Sequence, residues 1–213
     1  MKSTLINMVS VLAGICLVAS ACVGAVYTIT AEPIAQAKAQ ATIDALNNVL
    51  PEFEQNSTME LTVGGLPVVV YTATAGDAVV GYAVETMTKE GFGGAVRMMV
   101  GFLPSGEVNN VNVLEQAETP GLGTKMCDEG NPLITSFKGK NPGEMKMAVA
   151  KDGGDVQALT AATISSRAYV DAMSRAYEAY KSVSEASPAV EADGTSGATL
   201  SESQQTQEGG ENE

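Results

Sequence analysis

Two short stretches of this chain hold the residue types that could do chemistry. The first, Thr160-Ala161-Ala162-Thr163-Ile164-Ser165-Ser166-Arg167-Ala168, is a turn of small residues opening onto a helix. The first amides of a helix have no partner within it and carry partial positive charge. A phosphate placed there is held by hydrogen bonds and by the helix dipole. Ser165 or Ser166 is expected to cap that helix, and Ala161 and Ala162 leave room for a bulky group against the backbone. The second stretch is Glu118-Thr119-Pro120-Gly121-Leu122-Gly123. Gly121 and Gly123 allow backbone shapes closed to other residues and can turn bare amides toward a ligand, while Pro120 stiffens the approach. On residues alone each stretch has a plain alternative: a well-capped helix without a ligand, and a Gly-Pro surface loop.

What is missing narrows the chemistry. The chain has no histidine, which removes Ser–His and Cys–His nucleophile pairs and every histidine-ligated metal or haem site. Of its three cysteines, Cys16 and Cys22 fall in an apolar N-terminal run, leaving Cys127 alone in the rest of the chain. No disulfide is expected there, nor a cysteine-ligated iron–sulfur cluster, and Cys127 reads as a packed or incidental thiol and not as a nucleophile. No strand-linked Gly-x-Gly-x-x-Gly fingerprint is present. The net charge of −13 includes an all-acidic stretch from Ser182 onward, so nucleic acid is not an expected partner.

Together the two stretches resemble the FMN-binding domain shared by the G subunit of Rnf-type electron-transport complexes and the C subunit of sodium-translocating NADH:quinone reductases. The family's Glu-Thr-Pro-Gly-Leu-Gly loop stands in full at 118–123, and its Ser/Thr-Gly-Ala-Thr turn is matched at 160–163. Gly81-Tyr82-Ala83 and Gly91-Phe92-Gly93-Gly94 are similar to family features too, and the resemblance covers roughly residues 5–182. The continuation Thr163-Ile164-Ser165-Ser166-Arg167-Ala168 looks more like the G subunit than the C subunit. The resemblance implies FMN joined covalently through its phosphate to Thr163. It implies that Thr160, Ala161, Ala162, Glu118, Thr119, Gly121, Leu122 and Gly123 line the flavin, with Ser165 and Ser166 beneath the phosphate. It also implies a redox-carrier subunit, not catalytic alone. Such a subunit relays electrons in a complex that couples ferredoxin/NAD electron transfer to ion transport. The expected partners are the other membrane and peripheral subunits and a flavin transferase for maturation. The alternatives are the C subunit itself, a stand-alone flavin reductase, and an anchored domain with no redox role.

Two positions depart from the family. Its glycine is Ala161 here, so the backbone at 161 is expected to avoid a glycine-only conformation. Where the family often has Asp before the turn, this chain has Gln157, with Asp155 out of register. Asp193-Gly194-Thr195-Ser196-Gly197-Ala198-Thr199 matches the attachment pattern more literally, but no apolar helix comes after it. Thr199 is therefore a secondary modification candidate behind Thr163.

The elements that must position these residues can be read from apolar periodicity. Val- and Thr-rich segments at Met59–Val63, Leu66–Thr74, Ala78–Met87, Ala95–Leu103 and Glu107–Leu114 predict strands in tandem antiparallel hairpins, with Gly64-Gly65 as the first turn. Residues 115–143 are loop-like, and Met145–Ala150 is expected to form a further strand. Val170, Met173, Tyr177 and Tyr180 share one stripe of a helix over Ser165–Ser182, with Asp171 between Arg167 and Arg175 on the other face. Ile34, Ile43, Leu46 and Leu50 suggest an earlier helix stopped by Pro51.

From Leu5 to Thr30 no residue is charged, and a helix of that length spans the roughly 30 Å of bilayer hydrocarbon. A cleaved signal peptide is the alternative reading; lipoprotein processing is disfavoured by Ala19, where a bulky aliphatic is needed before Cys22. Lys2 ahead of the run sets the N-terminus in the cytoplasm and the domain outside. The expected class is α+β, a mostly antiparallel sheet with flanking helices, preceded by one transmembrane helix. The expected division is an anchor at 1–30, a connecting helix and linker at 31–58, an FMN-binding domain at 59–182 and a disordered acidic tail at 183–213. The expected location is the bacterial inner membrane, single-pass, with the domain on the periplasmic or extracytoplasmic side.

Overall fold

A computed structural model describes residues 5–186; the tail expectations, Thr199 included, lie outside the described residues. One helix, α1, runs unbroken over Leu5–Val49 and contains Pro33. At 1.5 Å per residue its 45 residues reach about 67 Å. Its most apolar window has a mean hydropathy of 2.4 and is wholly unburied, so α1 is long and apolar enough to cross a membrane. The anchor and the connecting helix are thus one rod. Its contacts with the rest of the chain lie toward its C-terminal end: Lys38 pairs with Glu115 at 3.5 Å, and Ala45, Leu46, Val49 and the following Leu50 are buried, while Ile34 and Ile43 stay about half exposed.

The sheet is an antiparallel meander in the order β1 (Gln55–Val63), β2 (Leu66–Ala75), β3 (Ala78–Thr88), β4 (Val96–Phe102), β5 (Val108–Glu115). Gly64 and Gly65 both take positive φ, 56° and 76°, as a two-residue hairpin turn between twisted strands requires. β1 starts four residues before the expected Met59. Its first residues are exposed and held by backbone pairing alone, Gln55 opposite Thr74, so no apolar alternation marks them. The expected strand at Met145–Ala150 does not form. That segment pairs locally with the chain just after it, Val156 N–H to the Ala148 carbonyl and Ala150 N–H to the Val156 carbonyl. The start of β5's outer edge is already taken, by Val108 N–H donating to Lys140 and Gly139 N–H donating to Val108. The loop-like stretch also holds a helix, α2 (Pro132–Phe137), whose N-terminal amides Leu133 and Ile134 donate to the Asn131 side chain. Six residues are too few to show a helical period.

Each face of the sheet has its own cover. Val68, Val70, Tyr82, Val84, Met98, Val100 and Phe102 pack under α3 (Thr163–Ala186), which brings Tyr169, Met173, Ala176 and Tyr180. Tyr82 meets Tyr180 edge-on, with ring centroids 5.4 Å apart. Ala73, Ala83 and Met99 on the opposite face pack under the end of α1. There, Asn109 Nδ2 donates to the Val49 carbonyl at 2.8 Å, and Asn110 Nδ2 donates to Asn48 at both its carbonyl (3.2 Å) and its side-chain oxygen (2.7 Å). The last carbonyls of a helix otherwise lack partners. The ion pairing on α3 is narrower than expected: Asp171 pairs with Arg175 at 2.9 Å, while Arg167 turns away to Asp152. Thr88 Oγ1 donates to Asp171 at 2.6 Å, and the Arg175 guanidinium reaches the Val63 carbonyl, so the network ties α3 to two strands.

Among the described residues, three buried side-chain atoms make no hydrogen bond: Thr86 Oγ1 and the Nε atoms of Arg97 and Arg175. Thr86 Oγ1 on β3 is enclosed and makes no hydrogen bond. An unmet buried hydroxyl costs about 1 kcal/mol or more. Thr86→Val, which is close in shape, is expected to raise unfolding stability by about 1 kcal/mol, read as a higher midpoint in urea titration.

Candidate functional site

The turn before α3 is built around Ser166. Its Oγ donates to the Ala162 carbonyl at 2.8 Å and accepts from Leu159 N–H at 3.0 Å. Ser165 and Ser166 are the third and fourth residues of the helix, so neither is its N-cap; Ser166 staples the turn from inside, and Ser165 reaches another loop. Ala161 has φ +59°, the one non-glycine among the described residues with positive φ. The expectation that this backbone avoids a glycine conformation is therefore overturned: the turn keeps the left-handed shape and alanine bears its cost, about 1–2 kcal/mol. Ala161 is exposed and makes no hydrogen bond that glycine would lose. Ala161→Gly is expected to stabilise the domain by about 1 kcal/mol, seen as a rise in Tm.

The shape of the turn leaves donors free. Ser166 N–H is satisfied by Ala162 at 3.0 Å, but the amides of Thr163, Ile164 and Ser165 have no acceptor among the described residues. No acidic residue occupies the first turn of α3. The Thr163 hydroxyl, half-buried, makes no hydrogen bond among the described residues.

The second loop wraps against this helix start. Leu122 and Thr124 amides both donate to the Thr119 carbonyl, at 3.1 and 3.4 Å, and Gly121 N–H donates to Thr124 Oγ1 at 2.9 Å. Gly121 sits at φ +75°. Glu118 is 4% exposed. One of its oxygens accepts from Gly93 N–H at 3.1 Å, and the other accepts from the Ser165 hydroxyl. Gly123 is required by proximity: a Cβ there would lie 2.6 Å from Ser165 Oγ and 2.8 Å from the Glu118 carboxylate.

Between the two loops lies a cleft of about 310 Å³, lined by Phe92, Thr119, Leu122, Gly123, Ala161, Ala162, Thr163, Ile164 and Ser165. Seven of the eleven site residues expected from sequence meet there. Glu118 and Ser166 lie behind it, and neither Thr160 nor Gly121 is on its wall. Phe92 and Ile164, which are not among the residues expected from sequence, are also on the wall. Both are unusually exposed for apolar side chains, at 66% and 47%. A lone aromatic inside the glycine run 91–94 was the available signal for Phe92; nothing in the sequence marks Ile164. A larger, polar cavity of about 480 Å³ lies between the end of α1, β5 and α2 and contains none of the expected site residues. Cys127 borders that cavity, and burial, helped by Asp128, pushes its thiol up. It is a poor nucleophile at neutral pH.

Comparison with known proteins agrees with the geometry. Residues 91–178 match the FMN-binding domain family, and residues 1–49 match the RnfG N-terminal region. The G subunit of the ion-translocating oxidoreductase complex of Shewanella baltica (strain OS223) is 33% identical over 189 residues, covering 83% of this chain and 89% of that protein. This chain belongs to that G-subunit family. The corresponding G subunit of Shewanella loihica is 34% identical, over 82% of this chain and 89% of its own length. That of Aliivibrio fischeri (strain ES114) is 31% identical, over 85% and 92%. In this member of the G-subunit family, both loops of the cleft and the first turns of α3 fall inside the FMN-binding match. The relatives being G subunits, the C-subunit alternative recedes.

The cleft fits FMN on its own chemistry. Free helix amides suit a phosphate. The exposed Phe92, Leu122 and Ile164 side chains suit an isoalloxazine, a flat apolar group with polar edges. Gly123 has no side chain and Ala161 only a methyl, so neither adds a bulky group to the cleft wall.

Proposed function

We propose that this chain is the membrane-anchored flavoprotein subunit of an Rnf-type ion-translocating oxidoreductase, with FMN joined through its phosphate to Thr163 Oγ1. The observation that supports it is the free Thr163 hydroxyl at the mouth of a helix whose first amides are also free. A phosphoester at that oxygen would set phosphate oxygens beside those amides. FMN, when bound, supplies one- and two-electron redox chemistry. The chain's residues hold and shield it: Phe92, Leu122 and Ile164 offer apolar contact, and Gly123 and Ala161 let the cofactor approach the backbone. A tether keeps the flavin at high local concentration and suits a relay between fixed partners.

In this reading, the first part of α1 stays in the bacterial inner membrane as a single-pass anchor for the FMN-binding domain. The domain lies on the periplasmic or extracytoplasmic side. The other members of the complex are its electron partners, and a flavin transferase loads it. Peptide mass spectrometry on protein made with its native transferase tests the assignment. The expected result is the mass of FMN less one water on the peptide holding Thr163. Native protein without that mass, or with it only on the peptide holding Thr199, would overturn the assignment.

A further inference from the structure

The cleft has a charged group directly behind its floor that the proposed flavin attachment does not use. Glu118 is almost fully enclosed, yet among the described residues no lysine or arginine pairs with it. Both oxygens act as acceptors, one toward Gly93 N–H and the other toward the Ser165 hydroxyl. Both contacts are ones that a carboxylate, which only accepts, can make. Its neighbours on the cleft side are Gly123 and Ser165, which are themselves floor residues. Glu118 thus packs directly against two residues that line the cleft.

We propose that Glu118 is a positioning residue for the flavin and sets its reduction potential. The inference rests on FMN occupying this cleft. The positioning follows from what the carboxylate joins: the glycine loop bearing Phe92, the 118–123 loop bearing Leu122, and the first turn of α3 beside Thr163. One side chain thereby fixes all three walls. The effect on potential follows from charge. A buried anion beside a redox group is weakly screened and opposes added electrons, because reduction leaves the flavin more negative. The Gly93 amide and Ser165 hydroxyl partly offset the charge but do not neutralise it. Removing the charge and removing a donor therefore move the potential in opposite directions, whereas simple loosening of the site would move both variants the same way.

The experiment is spectroelectrochemical titration of the full-length, FMN-loaded chain in detergent, with loading confirmed by intact mass. Glu118→Gln is expected to keep FMN and shift its midpoint potential upward. Ser165→Ala, which leaves the carboxylate with one donor fewer, is expected to shift it downward. An unchanged or lower potential in loaded Glu118→Gln, or shifts of the same sign in both variants, overturns the inference. If Glu118→Gln does not fold or load, the sign in Ser165→Ala decides alone, and no downward shift overturns it. Wild-type protein with no FMN at Thr163 would instead remove the parent reading, which the mass measurement detects separately.

Discussion

Thr163→Ala is expected to abolish covalent flavin while leaving the domain folded. Among the described residues the hydroxyl has no hydrogen-bond partner, so its removal orphans none of them. Alanine is also a better helix former than threonine, by up to about 0.7 kcal/mol, so Tm should hold or rise slightly. Thr163→Ser keeps the nucleophilic oxygen and should retain flavin. In-gel flavin fluorescence with intact mass reads both variants, and circular dichroism checks the fold. A fluorescent Thr163→Ala band carrying the FMN mass would place the tether elsewhere. The contrast is all-or-none because one oxygen, not a distributed surface, would bear the bond.

The second large effect lies at the junction of α1 and the sheet. Gly101 on β4 faces the end of α1, and a Cβ there would overlap the Val49 carbonyl oxygen and carbon. These are backbone atoms, and that carbonyl is already held by Asn109. The clash cannot be relieved by a rotamer change. Gly101→Ala is expected to cost about 3 kcal/mol, the upper part of the range for overpacking. The end of α1 should then lift from Ala83 and Met99 before the α3 face of the sheet is disturbed. Limited proteolysis should give new cleavage near Pro51, and urea titration an earlier midpoint. Unchanged protease resistance together with an unchanged midpoint would show that the junction is not close-packed.

Much of the site was legible because its signal is local. Gly121, at φ +75°, answers to the geometry of its own turn, and such requirements write directly into sequence; Gly123 answers instead to Ser165 and Glu118 packed against it. The hairpin turn at Gly64-Gly65 and the stripe on α3 were legible for the same reason. Two of the expectations that failed depended on partners elsewhere in the chain. Ser165 looked like a cap until Glu118, 47 positions away, took its hydroxyl. Arg167 looked like a partner for Asp171 until the fold brought Asp152 closer. Met145–Ala150 has strand composition, but its neighbour on the chain supplies its pairing.

By itself, then, the sequence determined the apolar N-terminal span, the meander of hairpins, the amphipathic last helix and the two loops. Each is set by periodicity or by the conformational range of single residues. Only the tertiary structure decided what those loops do to one another. It alone places a buried carboxylate behind the cleft, Phe92 and Ile164 on its walls, and the end of α1 on the far face of the sheet. These are encounters between segments dozens of residues apart, and a linear pattern has no term for the shape that closes between them.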